Sequence, residues 1–282
     1  MVPRKGVETT VRAMAGVPSA ELIIAGGGDA TTEAERARLA TIAQECGVSE
    51  RVRLVGHIPR KDIPALLRGA DAVLVADYGR GITAIAGLRV ALAELACRVP
   101  VVWDPHPHGG RPVPGCRLIT PNESEATAFA SAPHGLAIGA VLRQRWRCCA
   151  VAMTMGARGA LLTTSSGSLA VPVPDLAVPA GSDTCGAGDA FAAAVAGALL
   201  DDRSITEAVT VAVGAASHFV ADGGVSSLDS LTSGSEVTHP VPTPPGPGAR
   251  SVPDIAARVR HATGVGGWWP LVGVSTCCTP GT

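Results

Sequence analysis

The sequence predicts an α/β protein, a Rossmann-like parallel sheet with helices on both faces, and three observations carry that expectation. Short apolar runs of strand length alternate with helical patterns along much of the 282 residues, the order that builds parallel βαβ units. Two of these runs, ADAVLVADYGRGI (70–82) and VPVVWDPHPHG (99–109), break off into Asp77, Tyr78 and Gly79 and into Asp104. Polar residues at the carboxyl ends of parallel strands mark where ligands sit in open α/β sheets. Finally, a glycine-containing turn at 183–188 runs straight into AFAAAVAGALL, an apolar segment that reads as a helix.

Taken in order, the chain opens with RKGVETTVRAMAGV, a basic start and a helical pattern. AELIIAGGGD reads as a strand ending in Gly26–Gly28, ERARLATIAQECGV as an amphipathic helix, RVRLVGHI as a strand, and PRKDIPALLRGADAVL as a helix leading into a strand. After the strands at 70–82 and 99–109 comes LITPNESEA (118–126), an apolar run closed by Pro121, with Asn122 and Glu125 three apart on one helical face. AVAMTMGARGALL (150–162) is two apolar strands around a turn containing Thr154, Gly156 and Gly159. SITEAVTVAVGAASHFVADGGVSS (204–227) is a helix of small residues that stops at Gly223 and Gly224. Residues 233–282 begin with a Pro/Gly/Ser-rich linker and end in GGWWPLVGVSTCCTPGT, which has no regular period and is expected to be disordered. The expected division is therefore 1–70, 71–232 and 233–282.

Composition narrows the function classes. Apolar residues make up 46% and aromatics 3%, so a core of Ala, Val, Leu and Ile is expected. A net charge of −1 argues against electrostatic binding of nucleic acid or membrane. No apolar run of 18 residues and no signal peptide is found, so a cytoplasmic location is the expectation. The eight cysteines show no C-x-x-C pair, which argues against a zinc site and for reduced thiols. His106 and His108 form an H-x-H without a neighbouring third ligand.

The chemistry concentrates at 183–191. Gly186, Ala187 and Gly188 carry little side chain, so their N–H groups can approach an anion at the positive end of the following helix. Asp189 sits where a carboxylate can take a proton from a nucleophile, or where it simply caps the helix. Asn122 and Glu125 can organise hydrated Mg²⁺ near phosphates, or cap their own helix. The turn at Thr154, Gly156 and Gly159 reads equally as a phosphate-side turn and as a plain hairpin turn.

The run D-T-x-G-A-G-D-A-F at 183–191 closely resembles the second signature of the ribokinase/PfkB-type carbohydrate kinases. That resemblance implies a catalytic base at Asp189 and an anion hole from the backbone of Gly186, Ala187 and Gly188. It also implies nucleotide and Mg²⁺ binding at Asp183, Thr184, Asn122, Glu125, Thr154, Gly156 and Gly159. ATP and Mg²⁺ are the implied cofactors, the metal being held through ATP and water rather than by direct protein ligands. The phrases DYGRG and WDP…TPNESEA resemble the heptose-7-phosphate kinase module of bifunctional ADP-heptose synthases. A sugar phosphate and ATP are then the small-molecule partners, Asp77 and Asp104 line the substrate cleft, and a homodimer is an open assembly.

Residues 1–70 resemble a fragment of the nucleotide-sugar domain of retaining glycosyltransferases with two Rossmann-like domains. Arg4, Lys5 and Gly6 would face the donor diphosphate there, with Gly26–Gly28 as a turn near it. The lid strands and sugar-gripping residues that the kinase family carries are not found before Asp77, which sets the expected junction at 70–76. The tail carries a further expectation. Read one base back, codons allowed for residues 268–282 can encode VVATGGCFDLLHAGH, which resembles the nucleotidyltransferase start of ADP-heptose synthases. Three readings follow: a carbohydrate kinase, a glycosyltransferase remnant that binds a nucleotide sugar, and an inert fusion product.

Overall fold

The computed structural model describes residues 11–12, 14–16, 21–25, 30–56, 58–59, 61–131, 137–176, 178, 182–224 and 271–273. Contacts group the chain into two compact units, Met1–Ile58 with Val225–Trp269, and Pro59–Gly224 with Pro270–Thr282.

In the first unit, strands β1 (Leu22–Ala25) and β2 (Val52–Gly56) pair in parallel and helix α1 (Ala30–Glu45) lies between them in the chain. Parallel neighbours need such a crossover. The unit's core is Val11, Met14, Leu39, Ile42, Ala43 and Val48. Leu22 and Ile24 of β1 and Val52 and Leu54 of β2 pack against it, each pair two residues apart and so on one face of its strand. Arg4, Lys5, Gly6 and Gly26–Gly28 lie outside the described residues.

The second unit holds a seven-stranded sheet. After α2 (Ile63–Leu67) come β3 (Ala72–Ala76), α3 (Ala86–Ala96), β4 (Val101–Asp104), β5 (Leu118–Ile119), α4 (Glu123–Ala130), α5 (Ile138–Trp146) and β6 (Val151–Thr154). A hairpin of β7 (Ala160–Thr164) and β8 (Gly167–Val171) follows, then α6 (Ala187–Leu200), α7 (Ile205–Ala221) and β9 (Leu271–Gly273). The spatial order is β8-β7-β6-β5-β4-β3-β9.

The strands are apolar on both faces, and the two faces serve different helices. Val73, Val75, Val101, Trp103, Ile119, Val151, Met153 and Leu161 point into a core shared with Leu88, Leu92 and Leu95 of α3 and Leu142 and Trp146 of α5. Leu74, Val102, Leu118, Ala152, Ala160 and Leu162, one residue out of phase, point into a core shared with Phe191, Val195 and Leu199 of α6 and Val209 and Val213 of α7. This two-sided burial is why the strands read as continuous apolar runs rather than alternating ones. Ala192, Ala196, Ala208 and Ala212 keep α6 and α7 thin where they meet the sheet. As composition required, aliphatic residues fill most of the core, with Trp103 fully buried at its centre.

The predicted α/β layers are present, with one difference. Strands β3 to β6 are parallel, whereas β7 and β8 run antiparallel. The connections β6–β7 and β7–β8 are too short for a crossover, and only antiparallel strands can be joined so tightly. The structure also differs from the expectation of a disordered tail over part of it. Leu271–Gly273 forms β9 and pairs in parallel with β3. A short β-prone stretch, Leu-Val, meets the outer edge of β3, whose backbone groups otherwise lack a neighbour on that side. The linker from 233 and the remainder of the tail lie outside the described residues.

The glycine turn between β6 and β7 gives a direct test of these constraints. Gly156 (φ 59°) has open space where a Cβ would stand, but at Gly159 (φ 84°) a Cβ would lie 2.1 Å from the Val171 carbonyl oxygen. Gly156→Ala is expected to cost about 1–2 kcal/mol, and Gly159→Ala about 3 kcal/mol or more, measured by denaturant unfolding. Equal losses would show that the close approach of β8 does not constrain this turn.

Candidate active site

The carboxyl ends of β3, β4, β5 and β6 and the start of α6 carry the residues singled out in the sequence. At the end of β3, Asp77 is buried and fully engaged. Its Oδ1 accepts from the Gly79 N–H at 2.9 Å, and its Oδ2 accepts from the Thr83 hydroxyl at 2.6 Å and the Gly110 N–H at 3.1 Å. A Cβ at Gly109 would fall 2.1 Å from Oδ2, so glycine is required for the loop after β4 to close over this carboxylate. Arg89 of α3 reinforces the same junction, donating to the carbonyls of Thr83 (2.9 Å) and Arg111 (2.7 Å). Asp77 therefore clasps the loops after β3 and β4 together.

Asp104, at the end of β4, accepts a hydrogen bond from the Thr120 hydroxyl at 2.9 Å. Burial is the main force pushing its pKa up to about 7. The negative charges of Glu125, Asp189 and Asp77 push the same way, against the Thr120 hydrogen bond. The fold thus gathers four carboxyl groups, from two strand ends and two helix starts, within electrostatic reach of Asp104.

Asn122 and Glu125 form a capping box at the start of α4. The Asn122 side chain accepts from the Glu125 N–H and the Glu125 carboxylate accepts from the Asn122 N–H, each at 2.9 Å. The capping alternative is thus realised, and the box leaves the second Glu125 oxygen uncommitted to it. Thr154 lies beside this box, bridged to Asn122, with its N–H donating to the Pro121 carbonyl at 3.0 Å. Gly156 and Gly159 both hold positive φ in the following turn. Arg158 of that turn pairs with Glu123 at 2.6 Å, an exposed contact of small energetic weight.

At α6, Gly186 is the N-cap with φ 85°, a left-handed conformation that suits glycine. The Ala187 N–H already donates to the Thr184 carbonyl at 3.2 Å, and the first helical bond is Ala190 to Gly186. Among the described residues, the N–H groups of Gly186, Gly188 and Asp189 have no backbone acceptor. A Cβ placed on Gly188 would meet open space. Asp183 folds its own side chain onto the Cys185 N–H at 2.8 Å, and Thr184 is exposed next to it. Gly224 (φ 63°), in the turn that stops α7, lies so close to the Asp183 carbonyl that a Cβ would stand 2.5 Å from its oxygen. The His106 and His108 rings lie 5.5 Å apart between centroids and tilted by 50°, and among the described residues no group of three or more His, Cys, Asp or Glu is arranged to hold a metal.

Asp189 itself is exposed in the first turn of α6 and accepts a hydrogen bond from the phenol of Tyr78 at 2.9 Å. Thr83 and Thr120 are not singled out by the sequence, and Tyr78 only as one of the polar residues that end β3. The one available signal was position, since Tyr78 directly follows the aspartate that ends β3.

The model of the pfkB family carbohydrate kinases matches residues 88–231, which include every strand end described above except that of β3, and the whole of α6 and α7. Bifunctional protein HldE of Streptomyces coelicolor is 48% identical over 217 residues, 72% of this chain and 43% of that protein. The chain belongs to the pfkB family of carbohydrate kinases. It spans less than half the length of the curated relatives it matches. Among solved structures, Arabidopsis thaliana ribokinase complexed with ribose and ATP superposes with a TM-score of 0.55 at 21% identity, over 82% of this chain and 87% of that one. Escherichia coli phosphofructokinase-2 in complex with substrates and products gives 0.53 at 17% identity, over 80% and 86%. These likenesses show a ribokinase-like fold. The model of group 1 glycosyl transferases matches residues 1–110, further than the 70 residues expected. D-inositol 3-phosphate glycosyltransferase of Mycobacterium tuberculosis is 35% identical over 100 residues, 36% of this chain and 20% of that protein. Among the described residues no helix is long and apolar enough to cross a membrane.

Asp104 supplies a pH test. Its carboxyl holds a proton more tightly in the folded chain (about 7) than at the ordinary value near 3.8. The folded state therefore binds more protons across that window, and its stability falls as pH rises from about 4 to 7, levelling above it. The melting temperature is expected to drop across this range, and Asp104→Asn to flatten most of that drop. An unchanged pH slope in the variant would remove Asp104 as its source.

Proposed function

We propose that this chain is an ATP-dependent carbohydrate kinase whose acceptor is a sugar or sugar phosphate, with D-glycero-D-manno-heptose 7-phosphate as the leading candidate. The observation that carries the reading is the start of α6, where a carboxylate stands in the same helical turn as backbone donors without acceptors. Phosphoryl transfer to a hydroxyl needs a proton acceptor next to a site for negative charge. The chain's residues suit such a ligand: Gly188 leaves space over the helix start, the orphan N–H groups there can donate to phosphate oxygens, and Glu125 offers a hard oxygen donor.

ATP, with Mg²⁺, supplies the phosphoryl group and part of its charge compensation when bound. Asp189 removes the proton from the acceptor hydroxyl. The N–H groups of Gly186 and Gly188 donate to the phosphoryl oxygens as charge builds on them. Asn122 and Glu125 orient water around the metal, and Thr154, Gly156, Gly159, Asp183 and Thr184 border the nucleotide phosphates. Asp104 faces the acceptor side, and Asp77 holds the loops that shape it. The heptose assignment is supported by DYGRG, WDP and TPNESEA together with the likeness to HldE. The proposed junction between glycosyltransferase-like and kinase-like sequence is 70–76.

Asp189→Asn is expected to lower turnover at least about 100-fold while Mg·ATP still raises the melting temperature. Full turnover in the variant would defeat the assignment of the base. The match of residues 1–110 to glycosyl transferases favours a second reading, retained nucleotide-sugar binding. In a thermal-shift series, stabilisation by UDP- or GDP-sugars and not by Mg·ATP would support that reading against the kinase.

A further inference from the structure

We propose that Tyr78 is a positioning residue for Asp189: its phenol holds one carboxylate oxygen and leaves the other turned toward the acceptor hydroxyl. The inference rests on the reading of Asp189 as the base. Asp189 projects from the first turn of α6 and is exposed there. The Tyr78 hydroxyl donates to Oδ1 at 2.9 Å across 111 residues of sequence, tying the end of β3 to the start of α6. Among the described residues Oδ2 accepts no hydrogen bond.

Tyr78 can act as a fixed point because the residues on either side of it are fixed. Asp77, just before it, is buried and takes three donors. Gly79, just after it, holds φ 69° against the His106 ring, and a Cβ there would stand 2.5 Å from Nδ1. The negative charges of Asp189 on α6 and Asp104 on β4 act on the phenol, and both oppose its ionisation. Burial adds to them and is the largest cause, so the pKa is raised above its ordinary value of 10 and the hydroxyl stays a donor across the physiological range. A neutral phenol donating to a carboxylate makes a charge-assisted bond, stronger than one between neutral partners.

Tyr78 is also the only tyrosine in the chain, so its ionisation can be followed without overlap. The test uses the full-length chain, its Asp189→Asn and Tyr78→Phe variants, and tyrosine labelled with ¹³C at Cζ. The single Cζ resonance is expected to ionise at a pH higher by about one unit or more in the parent chain than in Asp189→Asn. It is also expected to differ between the two at pH 7, where neither is near alkaline unfolding. Coincident resonances and midpoints would overturn the contact. Tyr78→Phe keeps the ring and loses only the hydroxyl. With heptose 7-phosphate and Mg·ATP it is expected to lower kcat about tenfold, with KM for Mg·ATP unchanged. Unchanged kcat in Tyr78→Phe, with an active parent chain, overturns the positioning role and leaves the kinase reading standing. A parent chain without turnover on any sugar phosphate overturns the kinase reading, and the positioning role with it.

Discussion

Burial of the central sheet on both faces is the constraint from which the rest of the second unit follows. Each strand from β3 to β7 must present apolar atoms to two helical layers at once, so polar side chains along its length are rare, and the buried Thr163 of β7 is paired with the Ser168 hydroxyl. Polar residues are displaced to the strand ends, and because β3 to β6 are parallel, those ends lie along one edge of the sheet. Asp77, Asp104, Thr120 and Thr154 are all products of that displacement. A carboxyl cluster that would be unfavourable in isolation is held there by hydrophobic burial elsewhere, and Asp104 registers the cost in its raised pKa.

The helices complete the arrangement by what they lack. Small residues on α6 and α7 let both helices lie close to the sheet, which brings the N-terminal turn of α6 to the same edge as the strand ends. Gly186 allows the chain to enter that helix through a left-handed residue, and among the described residues the Gly188 and Asp189 N–H groups of its first turn have no backbone acceptor. Gly109 and Gly224 play a comparable part at a distance, because a side chain at either would collide with Asp77 or with the backbone of Asp183. Loop closeness, rather than any one contact, sets the shape of the site.

Much of this arrangement is legible in the sequence. Apolar runs bounded by Asp77, Asp104 and Pro121 marked the strands and the edge where they end, and the D-T-x-G-A-G-D-A-F run marked the start of α6. The reversal at β7 and β8 was less legible, since an apolar run of that length fits either strand direction and only the shortness of the turn decides. The strand at Leu271–Gly273 was not legible at all. Three residues carry no period, and their pairing depends on an edge of β3 formed some two hundred residues earlier.

The sequence by itself determined which residue types carry the chemistry and the secondary structure that holds them, because periodicity, glycine placement and short motifs are local properties. It did not determine their partners. Asp77 and Asp104 look alike in the sequence, each ending an apolar strand. Only the tertiary structure makes the first a saturated clasp between loops and the second a buried carboxyl with one hydroxyl donor. It likewise joins Tyr78 to Asp189. Hydrogen bonds and charge interactions act through space over a few ångströms, and distances between residues far apart in the chain are fixed only when the sheet and its two helical layers have packed.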